Sequence, residues 1–534
     1  MKALPRPEWA WAGWVAALPV LLMPVGDPDS WWHLSAARWM IEHRAFPRVD
    51  WLSFTAAGTP WVDFEWLSQL VFHGAFSCAG PAGLWALKAL LLVLAGLSVD
   101  GLMRRSGLDP EARALGLSLW AAAMLPRSDI RTELFSLAAF ARLLLLLEDG
   151  RLRPLPLLIG FSAWANLHAG FAYGLLLLGL HAAASSGRRE ALGRLWCLAA
   201  AAAGTLATPY GFSVYAVLVR HSLDAGPLRD AILEWGGLRP GRFVHWPAFV
   251  LLAVAAAVVW RGGHREGLRP SWRGVALALF GLSALRHART SSYFAILAVP
   301  WSLSALRDMR VWPEDAEPRR ALACALSAAV FVFGLWCGRP VGVLRRLSHE
   351  LHVPARAAGY IERHPELPRG PWYHPWGWGG YLGYRFGASR PVFQDGRYIF
   401  HPLLLQAGEA IRSPESWARF LSERGIVLAL LENAPLQVRT VRGYPDGSRR
   451  EFFRPYYTVY MPARDWALLY WDEEALLFVR RDSMAPHELS RLEYRLARPG
   501  DGDALADAMS RGEVDPGLLR RELDRHGRES TRRR

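Results

Sequence analysis

Four short stretches of the 534-residue chain place ionisable or aromatic side chains where they could do chemistry. The first is Gly26-Asp27-Pro28-Asp29-Ser30-Trp31-Trp32-His33, which directly follows an apolar run. Two carboxylates one residue apart, where a chain would leave a bilayer, can share a divalent cation through hard oxygen ligands. A carboxylate there can also take a proton from a hydroxyl or amide nucleophile. The same residues suit an acidic helix start, with Asp29 capping a helix that begins at Trp31. The second stretch, Arg127-Ser128-Asp129-Ile130-Arg131-Thr132-Glu133, adds Asp129 and Glu133. These could complete a metal site begun by the first loop, or form an ordinary polar turn in which Arg131 neutralises Asp129. The third, Arg286-His287-Ala288-Arg289, carries two arginines that could grip a phosphate by charge and bidentate hydrogen bonds, or could snorkel to lipid headgroups. In the fourth, Trp376-Gly377-Trp378-Gly379-Gly380-Tyr381-Leu382 precedes Arg390-Pro391-Val392-Phe393-Gln394-Asp395-Gly396-Arg397. Its glycines would let a backbone approach a ligand closely, and Trp378 and Tyr381 offer ring faces to a sugar or peptide. A glycine-rich turn packed on a membrane surface would look the same. Asp63, Glu65, His168, Tyr210 and Glu234 are further polar residues of these loops, with no pattern that singles one out.

The elements that must position these residues are membrane helices. Hydrophobic residues make up 52% of the chain. The mean hydropathy of only +0.09 averages an apolar part, residues 1–340, with a charged part, 341–534. A span needs about 20 apolar residues, fewer where a short or tilted helix is buried in a bundle. Eleven spans are expected, near 8–26, 83–100, 112–125, 134–147, 154–166, 170–184, 195–207, 246–260, 274–286, 291–304 and 320–338. Residues 154–184 could instead be one helix broken at Asn166-Leu167-His168-Ala169-Gly170.

The connections alternate in character. Lys2/Arg6, Arg104/Arg105/Arg113, Arg151/Arg153, Arg188/Arg189/Arg194, Arg261/Arg265/Arg269/Arg273 and Arg307/Arg310/Arg319/Arg320 lie in short basic loops. Such loops are cytoplasmic by the positive-inside rule. The longer loops 27–82, 126–133 and 208–245, with everything after about 339, then lie outside. The net charge of +14 therefore reads as topology and not as nucleic-acid binding. The run Trp9–Val25 leads into Asp27-Pro28-Asp29 without a small-residue cleavage site, so it reads as an uncleaved first span with a cytoplasmic N-terminus. Four scattered cysteines form neither a disulfide framework nor a zinc motif.

Residues 339–500 read as a soluble α/β domain. Helices are expected at Pro354–His364 and Ser413–Arg424, and strands at Pro391–Gln394, Ile426–Leu431, Trp466–Trp471 and Ala475–Val479. Residues 501–534 are charged and read as a disordered tail.

In order along the chain, these stretches resemble a family. The loop Asp-Pro-Asp-Ser-Trp-Trp-His-Leu is similar to the first outer loop of oligosaccharyltransferase catalytic subunits in the GT-C glycosyltransferase superfamily. The Ser-Asp-Ile-Arg-Thr-Glu loop is similar in placement to that group's second acidic loop. The segment from Trp376 to Arg397 resembles its acceptor-recognition region, although Gly377 stands where that region has the Asp of Trp-Trp-Asp. The blocks WVDFEWLSQ, WANLHAGF, TPYGFSVY and WGGYL…DGR also occur in bacterial GT-C-like membrane proteins, which are the nearest resemblance.

The resemblance implies a helical GT-C bundle over 1–338, with catalytic outer loops 27–82 and 126–133, and a periplasmic α/β domain. It implies glycosyl transfer from a polyprenyl-phosphate or -diphosphate donor at the periplasmic face of a bacterial inner membrane. Asp29 would be the catalytic residue. Asp27, Asp29, Asp129 and Glu133 would hold Mg²⁺ or Mn²⁺, and Arg286 and Arg289 the donor phosphate. Trp31, Trp32, His33, Trp378 and Tyr381 would line the sugar and acceptor pocket. The partners are then membrane lipid and the lipid-linked donor, with protein partners unspecified. A non-catalytic scaffold of the same fold, or a lipid or solute transporter, are the rival classes. A transporter calls for ionisable residues deep in the spans, and apart from Asp100 and Arg142 the charges sit at span ends.

Overall fold

A computed structural model describes residues 9–23, 25–228, 232, 235–265, 271–311, 315–338 and 353–531. The chain divides into two units: Met1–Arg48 with Val62–Leu351, and Val49–Trp61 with His352–Arg534. The expected boundary at 338/339 adjoins residues 339–352, which lie outside the described residues, as do Lys2, Arg6, Arg269 and Glu234.

The first unit is helical. Its described helices are α1 Trp11–Leu21, α2 Asp29–His43, α3 Trp66–Arg105, α4 Pro110–Met124, α5 Glu133–Glu148, α6 Pro154–Leu167, α7 Phe171–Ala183, α8 Arg188–Gly204, α9 Ser213–Leu228, α10 Trp246–Arg265, α11 Trp272–Arg286, α12 Ser291–Asp308 and α13 Ala316–Gly338. Eleven of these coincide with the expected spans; α2 is the helix offered as the alternative reading of the first acidic stretch, starting at Asp29 and not Trp31, and α9 was not expected. The span expected at 83–100 is the second part of the 40-residue α3, which is broken at Ala79–Gly80 ahead of Pro81. Gly80 stands at φ 57, and Pro81 has no N–H with which to continue the ladder. Residues 154–184 are two helices broken at His168–Gly170.

Among the described residues, three helices are long and apolar enough to cross a membrane: Trp66–Arg105, Phe243–Arg261 and Glu317–Cys337. A 15-residue helix such as α4 or α11 rises only about 22 Å. Such pieces rely on neighbours, and the packing is accordingly close. α1 lies on α4 and α13. A Cβ on Gly13 of α1 would come within 2.6 Å of the Ala114 carbonyl oxygen, so glycine sets that approach.

One end of the bundle is sewn together by ion pairs. Arg113 and Arg104 both hold Asp100, Arg105 holds Asp149, Arg319 holds Asp109 and Arg320 holds Glu111, and Arg273 holds Glu148.

The second unit is α/β. β1 Trp372–Tyr373, β2 Leu428–Glu432, β5 Trp466–Trp471 and β6 Ala475–Arg480 form a sheet in the order β1-β2-β6-β5, and β3 Gln437–Gly443 pairs with β4 Arg449–Pro455 in a separate hairpin. The core gathers Phe393, Trp417, Ile426, Leu468 and Phe478. The helices expected near 354–364 and 413–424 form at Ala355–Arg363 and Pro414–Glu423, the latter capped by Ser413 Oγ. Pro391–Gln394 is no ladder strand: Val392 makes one isolated bridge, to Ser53.

The region expected as a disordered tail is helical over Gly502–Ser510 and Pro516–Thr531. Its charges are used in contacts. Asp507 accepts from Tyr444 and Arg450, and Glu522 accepts the backbone N–H groups of Arg495, Leu496 and Ala497.

Residues 49–61, in the middle of the first outer loop, belong to this second unit. Arg397 ion-pairs with Asp50 at 2.6 Å and with Asp395 at 2.8 Å, all three fully buried. Leu52 and Phe54 exchange backbone hydrogen bonds with Val392.

Candidate active site

At the end of the helical unit opposite those ion pairs, the two acidic turns meet. α1 stops at Leu21, and the chain turns through Gly26 into α2. The Gly26 N–H donates to both carboxylate oxygens of Asp129, at 3.1 Å each, across 103 residues of sequence. Asp129 also accepts the Ile130 N–H at 2.6 Å. Asp27 is buried; its Oδ1 accepts the Asp29 N–H at 2.9 Å, and its Oδ2 is ion-paired with Arg131. Asp27, and not Asp29, therefore supports the start of α2. The helix begins at Asp29, so the side chain two residues earlier reaches its amide in an Asx turn. Asp29 itself is half-buried in the first helical turn. Arg131 pairs with Asp27, and its charge also acts on its neighbour Asp129. Burial, and then the charge of Asp27, push Asp129 up to about 6, against the N–H groups of Gly26 and Ile130 and the charge of Arg131.

A second cluster lies in the same unit and was not evident in the sequence. Glu65, just ahead of α3, accepts from Thr132 Oγ1 at 2.5 Å. Burial pushes it up to about 8, with Asp63 and Glu133 adding to the shift, and Thr132 and Arg289 opposing it. His168, at the α6–α7 break, accepts the Gly170 N–H on Nδ1 at 3.0 Å, with Ser136 Oγ 2.7 Å from the same nitrogen. An accepting Nδ1 puts the ring proton on Nε2, which stands 3.8 Å from Glu65 Oε1. Burial brings His168 down to about 4, and Arg289 and Arg127 act in the same direction against Glu133. The break is tied to α3: Trp66 Nε1 donates to Asn166 Oδ1 at 2.6 Å, and Ser68 Oγ to the Leu167 carbonyl.

Glu133 is ion-paired with Arg127, both buried. Burial alone would raise Glu133; Arg127, Arg289 and His168 together outweigh it and hold the carboxyl below its usual range. Arg289 stands over the Trp235 ring at 5.7 Å, and its charge acts on Glu65, Glu133 and His168 alike. Arg286, one turn earlier at the end of α11, is exposed.

Of the expected aromatic lining, Trp32 is buried with His33, the ring centroids 3.7 Å apart. Burial, then His168 and Arg131, bring His33 down to about 3, so its ring is neutral and feels both clusters. Trp31 meets Phe76 edge-on at 6.0 Å. Trp378 and Tyr381 lie in the core of the second unit, 6% and 2% exposed, and Tyr381 accepts from Arg385 at 2.7 Å. They offer no open ring face to a sugar. The glycines of that segment serve packing: a Cβ on Gly379 would collide with the Gln394 carbonyl.

Lys88 was missed altogether. It lies within the run expected to span at 83–100, where the surrounding leucines and alanines hide it. It is fully buried on α3 and donates from Nζ to the Met23 carbonyl.

A divalent cation held by Asp27, Asp29, Asp129 and Glu133 does not fit this arrangement. Glu133 is closed by Arg127 and Asp27 by Arg131. Among the described residues, no three His, Cys, Asp or Glu side chains gather as a metal-binding group.

No family model matches the chain, and no curated protein does. Solved structures do. The archaeal oligosaccharyltransferase AglB from Archaeoglobus fulgidus, in complex with an inhibitory peptide and a dolichol-phosphate, aligns over 86% of this chain and 79% of its own, at 13% identity and a TM-score of 0.51. ArnT from Cupriavidus metallidurans aligns over 89% of this chain and 98% of its own, with TM-scores of 0.44, at 16% identity bound to undecaprenyl phosphate and 15% in the apo state. At 13% identity the likeness to the archaeal enzyme is one of fold.

Proposed function

We propose that the chain transfers a sugar or glycan from a polyprenyl-phosphate or -diphosphate donor to an acceptor at the extracytoplasmic face of a bacterial inner membrane. In this reading the N-terminus is cytoplasmic and the second unit periplasmic. The observation that carries it is the convergence of side chains from separate loops at one end of the helical unit: Asp27 and Asp29, Glu65, Asp129 to Glu133, His168, and Arg289. Residues so distant in sequence, with carboxyls displaced by burial and by one another, support a functional role for this end. The fold it shares with an oligosaccharyltransferase solved with a dolichol-phosphate supports the donor class.

The displacement is single and inverting. The acceptor nucleophile bonds to the anomeric carbon as the bond from that carbon to the phosphate oxygen breaks. The nucleophile's proton passes to Asp29, the half-buried carboxylate at the first turn of α2. The leaving phosphate gathers negative charge, which Arg289 offsets from a site where Glu65 is largely uncharged near neutral pH and Glu133 is already neutralised by Arg127. The Nε2–H of His168 lies in the same cluster, as a neutral donor toward the sugar or the phosphate. Exposed Arg286 is left with a headgroup role. No step passes through a metal ion, because three of the four expected ligands are engaged: Asp27 and Glu133 are each paired with an arginine, and Asp129 accepts two backbone N–H groups.

The test is release of sugar from a defined undecaprenyl-linked donor by the purified protein in nanodiscs. The wild type releases it and Asp29→Asn does not. Equal release by both would remove Asp29 from the chemistry, and no release by the wild type across a donor panel would favour the scaffold.

A further inference from the structure

The Asp27–Asp129 junction carries its own counter-ions. Three of the four oxygens of the two carboxylates accept N–H groups of the chain, Asp27 Oδ1 from the Asp29 amide and Asp129 from the Gly26 and Ile130 amides, and the fourth, Asp27 Oδ2, is ion-paired with Arg131. The Asp27 side chain is 1% exposed and that of Arg131 29% exposed. The ion pair is therefore closed on the acid's side and open to solvent on the arginine's side. A carboxylate so deeply buried cannot stand uncompensated. From beneath, Lys88 donates to the Met23 carbonyl, three residues ahead of Gly26, and Asp129 is the acid whose charge acts on it. Beside the two acids stand the guanidinium paired with Asp27 and the Lys88 ammonium, which forms no ion pair with Asp129 among the described residues. A magnesium ion demands near-octahedral oxygen ligation. To enter, it would have to displace a guanidinium and sit beside an ammonium, which sets like charges together in a poorly hydrated place.

We propose that Arg131, seconded by Lys88, occupies the electrostatic role that a divalent cation would otherwise have at this junction, so that the chain locks its two acidic turns together without a metal ion. The bulky guanidinium brings a permanent charge to this ion pair. It cannot dissociate from the chain or be chelated away. The functional meaning of this lock rests on the transferase reading, but its test does not.

Full-length protein in nanodiscs is stripped with a chelator, and Mn²⁺ binding is followed by loss of the free-ion electron paramagnetic resonance signal. The wild type is expected to bind no Mn²⁺ more tightly than nanodiscs without protein. Arg131→Gln, which uncovers Asp27, should gain one site per chain, and adding Asp129→Asn should remove it. Arg131→Lys, which keeps the charge, should gain none. A tight wild-type site that Asp129→Asn abolishes would overturn the proposal, as would a folded Arg131→Gln protein that gains no Mn²⁺. If Arg131→Gln does not fold, wild type against Asp129→Asn still decides. A chain that binds no Mn²⁺ and also turns over no lipid-linked sugar would lose the transferase reading and keep the lock.

Discussion

The two ends of the helical unit use the same residue types to opposite effect. At one end, Asp100 sits between Arg113 and Arg104, and Asp149, Asp109, Glu111 and Glu148 each face an arginine. Each of these acids has its cation, and the pairs link α3 to α4, α3 to the end of α5, α4 to α13, and α5 to α11. At the other end the pairing is incomplete. Arg127 takes Glu133 and Arg131 takes Asp27, but Asp129 is pushed up to about 6 and Glu65 to about 8. Arg289 acts on several groups and, among the described residues, forms an ion pair with none. A bundle needs ion pairs to hold its ends. A reaction that builds negative charge needs spare positive charge, and acids kept uncharged, where that charge will appear.

The sharpest way to break this comparison is to alter an acid at each end. Asp29→Asn should cost transfer about 10²–10⁴-fold with little change in melting temperature. Asp100→Asn should do the reverse, and similar outcomes from the two would erase the distinction. Next in size, Arg113→Ala leaves Asp100 with only the half-exposed Arg104. It should destabilise the protein by about 3 kcal/mol, read as a lowered melting temperature in nanodiscs with kcat/KM unchanged per folded molecule.

A smaller effect separates the two arginines of the third motif. Arg289→Ala should lower kcat/KM for the lipid donor by about tenfold to a hundredfold, and Arg286→Ala should leave it nearly untouched. Equal losses would move the phosphate out toward the surface.

The smallest effect concerns pH. Burial, with Asp63 and Glu133, raises the folded-state pKa of Glu65 to about 8, so the folded state favours the protonated acid. Its contribution to stability is full below the ordinary carboxylate range and is lost as pH rises toward about 8. Melting curves from acid to alkaline pH should show this decline in the wild type, and Glu65→Gln should flatten it.

Much of the architecture was legible in the sequence. Apolar runs located eleven of the described helices of the first unit, because burying roughly 20 residues of helix requires such runs. Alternation of the connections from one helix end to the other assigned Asp27, Asp29, Asp129, Glu133 and Arg289 to a common end, where the turn at Gly26 meets Asp129 and Glu133 lies in the field of Arg289. The finer arrangement was not legible. Glu65 and His168 belong to no motif, and only the packing of the α6–α7 break on the start of α3 makes them neighbours. Lys88 vanished in an average over apolar residues. Residues 49–61 read as part of a membrane loop until Asp50 met Arg397.

Composition and periodicity thus determined by themselves which segments are helices and which polar residues share an end, since both follow from local geometry along the chain. Which acid each arginine neutralises, and which acids are left short of a cation, only the tertiary structure decided. Coulomb energy and desolvation depend on distances between atoms that may be a hundred residues apart, and no spacing along the chain encodes them.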